Sequence, residues 1–226
     1  LATDVEEGRD PLDAHAGIRR FAYRSPLDGA LQPFGVYVPR SYRPGAGRTY
    51  PLVVALHGMN GYPRSVVAWL FGKDDEAHDG AWEERNPPEV DDVDAFVVAP
   101  NAFGNSMYRE LGEVDAMAVV DFATRFFPID PRRVSVTGPS MGGIGAAALA
   151  LRHPDRFAAS EPLCGYHSYF VRRDLEGVTL RPWERLVAEH RSNALWAENG
   201  LYVPMWVWHG SRDLPEAHSQ VLIDAY

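Results

Sequence analysis

Residues 133–143 read Arg-Val-Ser-Val-Thr-Gly-Pro-Ser-Met-Gly-Gly. Alternating Val134, Val136 and the β-branched Thr137 predict a strand, Gly138-Pro139-Ser140-Met141-Gly142 a sharp turn, and the alanine-rich run after it a helix. A serine at the apex of strand, turn and helix sits on strained backbone, and its hydroxyl projects past the end of the strand. Gly138 and Gly142 flank it where a Cβ is expected to collide with the neighbouring strand and helix. The start of the helix adds a donor, because the Met141 N–H is aimed where negative charge would develop on a carbonyl oxygen. The stretch thus predicts Ser140 as a nucleophile and the Met141 N–H as half of an oxyanion hole.

Outward from this turn, residues 19–23 and 34–38 alternate apolar and polar side chains around the turn-forming Ser25-Pro26-Leu27-Asp28-Gly29, which predicts an antiparallel hairpin. Residues 51–56 are an unbroken apolar run, as a strand buried on both faces requires, and 94–99 repeat the pattern before Pro100-Asn101. Between 113 and 127, Val114, Met117, Val120, Ala123 and Phe127 share one helical face, and Asp130-Pro131 is expected to end that helix. Residues 141–152 predict a helix of small residues, 157–163 and 203–208 two more strands, and 217–226 a last helix. Such alternation predicts an α/β fold with a mostly parallel, doubly wound sheet in one domain over 1–226. Ligands of such sheets sit beyond the carboxyl ends of the strands, where 58–61, Ser140 and the segment after Trp208 converge. Two stretches break the alternation. Residues 73–94 carry ten carboxylates against Lys73 and Arg85 and read as a solvated acidic loop. Residues 166–200 read as a helical cap insertion over the site.

Bulk properties narrow the field. A chain of 226 residues suffices for one well-packed domain. Its formal charge of −9 argues against nucleic acid or an anionic membrane as partner. No apolar stretch approaches twenty residues, so no membrane span is expected. Cys164 is the one cysteine, which excludes an intrachain disulfide and predicts a buried structural thiol. The chain opens on Leu1 without a signal-type segment and stops at Ile223-Asp224-Ala225-Tyr226 inside a helical pattern. The expectation is a piece of a longer polypeptide, with a further strand and helix past Tyr226 and a localisation left open.

Nucleophilic chemistry also needs oxyanion donors, an acid and a base. His57-Gly58-Met59-Asn60-Gly61 follows the third strand, where the Met59 N–H is expected to supply the second donor and His57 to orient the loop. The acid is expected just past the last apolar strand, at Asp213, which can hold an imidazole in one tautomer; Glu161 is the substitute. His209 and Asp213 lack further ligands at metal spacing, and no His-Glu-x-x-His helix occurs, so neither metal nor other cofactor is expected. The chain order Ser, acid, His leaves only His218 after Asp213, at the start of a helix expected to lead away. The order therefore predicts a histidine beyond Tyr226, with His218 as the candidate within the chain. His15, His78, His153, His167 and His190 read as surface or cap residues, and His167 beside Tyr166 is the one considered for substrate contact. Tyr108, Tyr166 and Trp183 are either pocket-lining or core aromatics.

These segments together resemble the α/β-hydrolase superfamily, nearest to prolyl-oligopeptidase-type catalytic domains and the polyhydroxybutyrate-depolymerase and feruloyl-esterase-like group. The resemblance rests on Ser25–Gly29 with Tyr37-Val38-Pro39, on 51–61, on Ile129–Val134 joined to 138–143, and on Trp196-Ala197-Glu198-Asn199 followed by 203–213. It implies a serine hydrolase with Ser140 as nucleophile and Asp213 as acid, acting through an acyl-enzyme on a small-molecule ester or a peptide. The family's histidine has no counterpart among these residues. No propeller-like sequence precedes the hydrolase segment, which favours an esterase over a prolyl-oligopeptidase-type peptidase. A reading of another class is a hydrolase-like fold that serves as a non-catalytic binding module.

Overall fold

The computed structural model describes residues 16–73 and 88–226. Most of the expected acidic loop, together with His15 and His78, lies outside the described residues. Six strands form one sheet in the order β1-β2-β4-β3-β5-β6: β1 Gly17–Arg24, β2 Leu31–Val38, β3 Tyr50–Ala55, β4 Phe96–Pro100, β5 Ile129–Pro139 and β6 Ala159–Leu163. The expected hairpin opens it, with Gly17 opposite Val38 and Arg24 opposite Leu31. Strand β2 runs antiparallel to β4, and β4, β3, β5 and β6 are parallel. The sheet is therefore mixed, with an antiparallel edge formed by β1 and β2 and a parallel body.

Both faces are covered, because β3 and β4 alternate their side chains between two apolar clusters. Leu52, Val54, Phe96 and Val98 pack against helices α2 (Leu111–Phe126) and α3 (Met141–Arg152) through Met117, Val120, Ala146 and Leu149. Ala55, Val97 and Ala99 meet α1 (Pro63–Leu70) through Val66, Val67 and Ala68. Helix α3 is buried from Met141 to Leu151, and its small side chains let it sit close on the sheet. A Cβ on Gly145 would lie 2.5 Å from the Tyr108 ring. Beyond β6 the chain runs through a three-residue 3₁₀ turn at Tyr169–Val171, another at Arg173–Leu175, α4 (Pro182–His190) and a 3₁₀ segment Asn193–Gly200. Helix α5 (Ala217–Ala225) closes the described chain and packs Leu222 on Ala147 and Leu151 of α3. Among the described residues no helix is long and apolar enough to cross a membrane.

Two expectations change. Residues 203–208 lie parallel to β6 but form only isolated bridges, Ser160 to Met205 and Leu163 to Trp208. Four ladder bonds are present: Ser160 N–H to Pro204 O, Trp206 N–H to Ser160 O, Trp208 N–H to Pro162 O and Cys164 N–H to Trp208 O, at 2.8–3.1 Å. The rung between them would need an N–H at position 162, and Pro162 has none. Asp130-Pro131 does not precede the elbow strand either. Strand β5 already begins at Ile129, paired with Tyr50, and the register shifts before Leu52 meets Val134. The residues that were expected to end a helix form a bulge within β5, where Asp130 accepts the Arg132 N–H at 3.0 Å.

Candidate active site

Ser140 occupies the turn between β5 and α3 with φ +54°, a left-handed conformation that costs a non-glycine residue about 1–3 kcal/mol. Its side chain is exposed and its N–H donates to Leu163 O at 2.8 Å, which ties the turn to β6. The flanking glycines are required by close approach. A Cβ on Gly142 would lie 2.8 Å from Leu56 C and closer still to Leu56 O, and one on Gly138 would lie 2.9 Å from Leu56 Cβ and 3.0 Å from Gly142 C. Met141 opens α3, so its N–H has no acceptor inside the helix.

The loop after β3 faces this turn. His57 is buried, with its ring nitrogens 2.8 Å from Gly58 O and 3.2 Å from Asn101 O, and its own carbonyl accepts the Tyr108 hydroxyl at 3.2 Å. It ties the loop to the segment after β4 and does not line the cavity. Three residues on, Asn60 donates its N–H to Asn105 Oδ1 at 2.8 Å, and Asn105 Nδ2 donates to Asn60 Oδ1 at 2.7 Å. This reciprocal pair fixes the loop that carries Met59. Its partner segment is itself tightly wound, with left-handed φ at Ala102, Phe103, Met107, Tyr108 and Glu110. Asp115, buried on α2, anchors that segment by accepting the Ala102 N–H at 2.6 Å and the Tyr23 hydroxyl. Burial raises the Asp115 pKa, while the Tyr23 and Ala102 donors pull it back. Asn105 and Asp115 were not found by sequence reasoning; the one available signal was the turn-rich Asn101-Ala102-Phe103-Gly104-Asn105 after β4.

A cavity of about 610 Å³ opens over Ser140. Its floor is Met59, Met107, Met141, Ile144 and Cys164 beside the serine. One wall comes from Tyr166 and Arg172–Asp174, and the other from Leu214, Pro215 and His218. Ser140, Met59 and Met141 are thus brought together as expected from sequence.

The acid side departs from expectation in detail. Asp213 is exposed and does not line the cavity; its carboxylate takes the Leu214 N–H at 2.7 Å and the Cys164 thiol. These donors, the thiol first, lower its pKa. Cys164, expected buried, is half-exposed on the cavity floor with φ +54°, and desolvation and the Asp213 carboxylate raise its thiol pKa. Glu161 is engaged elsewhere, accepting Trp208 Nε1–H at 2.9 Å and the Thr137 hydroxyl at 3.3 Å. His209 pins the acid loop to α5: its Nε2 lies 2.5 Å from Leu214 O and therefore donates, and its Nδ1 accepts the Ser219 hydroxyl at 2.8 Å.

The histidines and aromatics also require correction. Helix α5 does not carry His218 away, since His218 lines the cavity with Ser140, its Nδ1 buried without a partner. Desolvation, then the nearby Arg172, His209 and Arg173, lower its pKa and keep the ring neutral near pH 7. Among the described residues no hydrogen bond joins a histidine to Ser140 or Asp213. His167 is no substrate contact. It lies fully buried behind the wall, its N–H bonded to His218 O at 3.2 Å and its Nδ1 3.2 Å from Asn193 Nδ2, and burial pushes its pKa down to about 3. Tyr108 is likewise core, and the neighbouring Met107 lines the cavity in its place. Trp183 is exposed on α4 beneath the Arg181 guanidinium, 4.6 Å away, and outside the cavity. Of the expected contacts only Tyr166 reaches it.

Comparison with known proteins identifies the family. The Esterase family model matches residues 31–222. S-formylglutathione hydrolase of Bos taurus is 51% identical over 41 residues, which are 17% of this chain and 14% of that protein. The Rattus norvegicus enzyme of the same name is 46% identical over 41 residues, again 14% of its length. The match thus spans about one seventh of these curated relatives. Among solved structures, S-formylglutathione hydrolase from Staphylococcus aureus superposes with a TM-score of 0.66 at 16% identity, over 93% of this chain and 86% of that one. A ferulic acid esterase gives 0.63 at 17%, over 92% and 84%. A dipeptidyl aminopeptidase IV from Bacteroides ovatus gives 0.64 at 16%, over 96% of this chain and 32% of that one. At these identities the structural likeness is one of fold.

Proposed function

The chain belongs to the Esterase family of α/β-hydrolase type, and from that premise we propose that it cleaves a carboxylic ester through an acyl-serine intermediate. One observation carries the reading: Ser140, exposed on a left-handed turn, shares a cavity floor with Met59 and Met141, the residues whose N–H groups would hold an oxyanion. Ser140 Oγ attacks the ester carbonyl carbon and passes its proton to an imidazole. The carbonyl π electrons move onto oxygen, which the two N–H groups stabilise. Collapse of the tetrahedral intermediate expels the alkoxide, which takes the proton from the imidazolium. Water then repeats the sequence on the acyl-serine and releases the acid. Asp213, its pKa lowered, is the carboxylate that orients the imidazole. The imidazole is assigned to a histidine other than His218, which bonds to neither Ser140 nor Asp213.

An amide passes through the same intermediate, so a peptidase is the second reading, favoured by the likeness in fold to a dipeptidyl aminopeptidase. The test is turnover of p-nitrophenyl butyrate against peptide p-nitroanilides by the polypeptide that carries this sequence, beside its Ser140→Ala variant. The proposal expects ester turnover that falls by about 10⁴-fold or more in the variant. Anilide turnover exceeding ester turnover would favour the peptidase. Ester turnover unchanged in the variant would remove Ser140 from the mechanism, and a protein that turns over neither would be a binding module.

A further inference from the structure

Part of the cavity lining carries charge that the reaction does not use. Arg172 is satisfied within the wall. Its Nε and one terminal nitrogen donate to the two oxygens of Asp174 at 2.9 and 2.8 Å, and its guanidinium lies 5.2 Å from the ring centroids of both Tyr166 and Tyr169. Asp174 is thus paired with Arg172 through both oxygens and makes no ion pair with Arg173. Arg173, the next residue, also lines the cavity, and its backbone is set in a 3₁₀ turn whose carbonyl accepts the Glu176 N–H at 3.2 Å. Among the described residues no carboxylate pairs with the Arg173 guanidinium. The cavity lining holds two arginines and one aspartate, so with His218 neutral its charge is +1 in a protein whose formal charge is −9.

We propose that Arg173 is a specificity-determining residue that selects esters bearing a second, anionic group, a carboxylate above all. The inference rests on the hydrolase reading for the ester and on the wall alone for the anion. An unpaired guanidinium beside an apolar floor offers a planar fork to a carboxylate, while Met59, Met107 and Ile144 accept the carbon chain between the two ends. The neighbouring carboxylate does not compete, since Asp174 is engaged by Arg172. A neutral ester of equal length gains the apolar contacts but leaves the guanidinium with water.

The test compares matched esters. On the acyl side, p-nitrophenyl glutarate monoester is set against p-nitrophenyl valerate. On the leaving-group side, 3-carboxy-4-nitrophenyl valerate is set against p-nitrophenyl valerate. The kcat/KM ratio is measured on the active protein, and the Kd ratio on the Ser140→Ala variant, where binding is read without turnover. For one of the two pairs the carboxylate ester is expected to be favoured about tenfold, the scale of one charge-assisted contact at a solvated mouth. Arg173→Gln should bring that ratio near one, Arg173→Lys should retain part of it and Arg173→Glu should invert it; a general loss of activity cancels in the ratio. Absence of preference in both pairs, or a preference that survives Arg173→Gln, overturns the proposal. A Kd preference that depends on Arg173 in a protein that turns over no ester would sustain the anion site and overturn the hydrolase reading.

Discussion

The elbow around Ser140 is held by backbone packed on backbone, whereas the acid side above it depends on side-chain contacts as well. At the elbow, Gly138 and Gly142 lie against Leu56 with no room for a methyl group, and the Ser140 N–H is bonded to β6. On the acid side, Asp213 meets Cys164 and its neighbour's N–H, His209 reaches Ser219, and Trp206 stacks on Trp208 at 5.3 Å with both rings largely exposed. Backbone contacts tolerate almost no change of residue, and side-chain contacts can be remade in several ways. The nucleophile is consequently fixed by the fold, while the groups that serve it and select its substrate are adjustable.

The sharpest way to break that comparison is Gly142→Ala. A Cβ there meets Leu56 backbone, so β3 and α3 must separate, and a loss of about 3 kcal/mol or more is expected in denaturant unfolding. Stability like that of the parent protein would show the elbow to be as adaptable as the wall. A second test uses His167. Its folded pKa of about 3 lies below the unfolded value of 6.5, so the unfolded chain binds more protons between these limits. Its contribution is complete above pH 6.5 and is lost as pH falls from there toward 3, at up to about 1.4 kcal/mol per pH unit. By pH 5 the His167→Gln variant should have lost about 2 kcal/mol less than the parent, relative to each at pH 7. Equal pH slopes would mean that the ring is not held neutral.

Smaller effects sharpen the picture. Asn105→Ala removes both bonds to Asn60 and frees the loop that carries Met59, so kcat should fall about tenfold with a lesser change in KM. A change confined to KM would place that loop in substrate binding alone. His218→Gln should alter ester kcat by less than about threefold, because no hydrogen bond joins His218 to Ser140 or Asp213 although it lines the same cavity. A loss of several thousandfold would make His218 the base.

Legibility in the sequence follows the same division. Ser140, Met141, Met59 and the strands and helix that carry them could be read because steric necessity dictates residue type: glycine beside the serine, an apolar run in β3, small residues in α3. Residues 203–208 could not be read as a broken strand, because the break lies in Pro162 on the neighbouring strand, far earlier in the chain. Tyr108 and His167 carry the same side chains whether they pack in a core or touch a ligand, and only burial separates the two. The direction of α5, which brings His218 to the cavity, depends on an interhelical angle that periodicity does not encode. Arg173 belongs to no motif at all, and its meaning comes from Asp174 being occupied by Arg172.

The central claim is that Ser140 is an activated nucleophile. Its most direct test is mass-spectrometric mapping of a fluorophosphonate adduct on the polypeptide that carries this sequence. The account predicts a single adduct on Ser140 in the folded protein, lost on denaturation and in Ser140→Ala. A folded protein without an adduct on Ser140, or with labelling that survives Ser140→Ala, would contradict it.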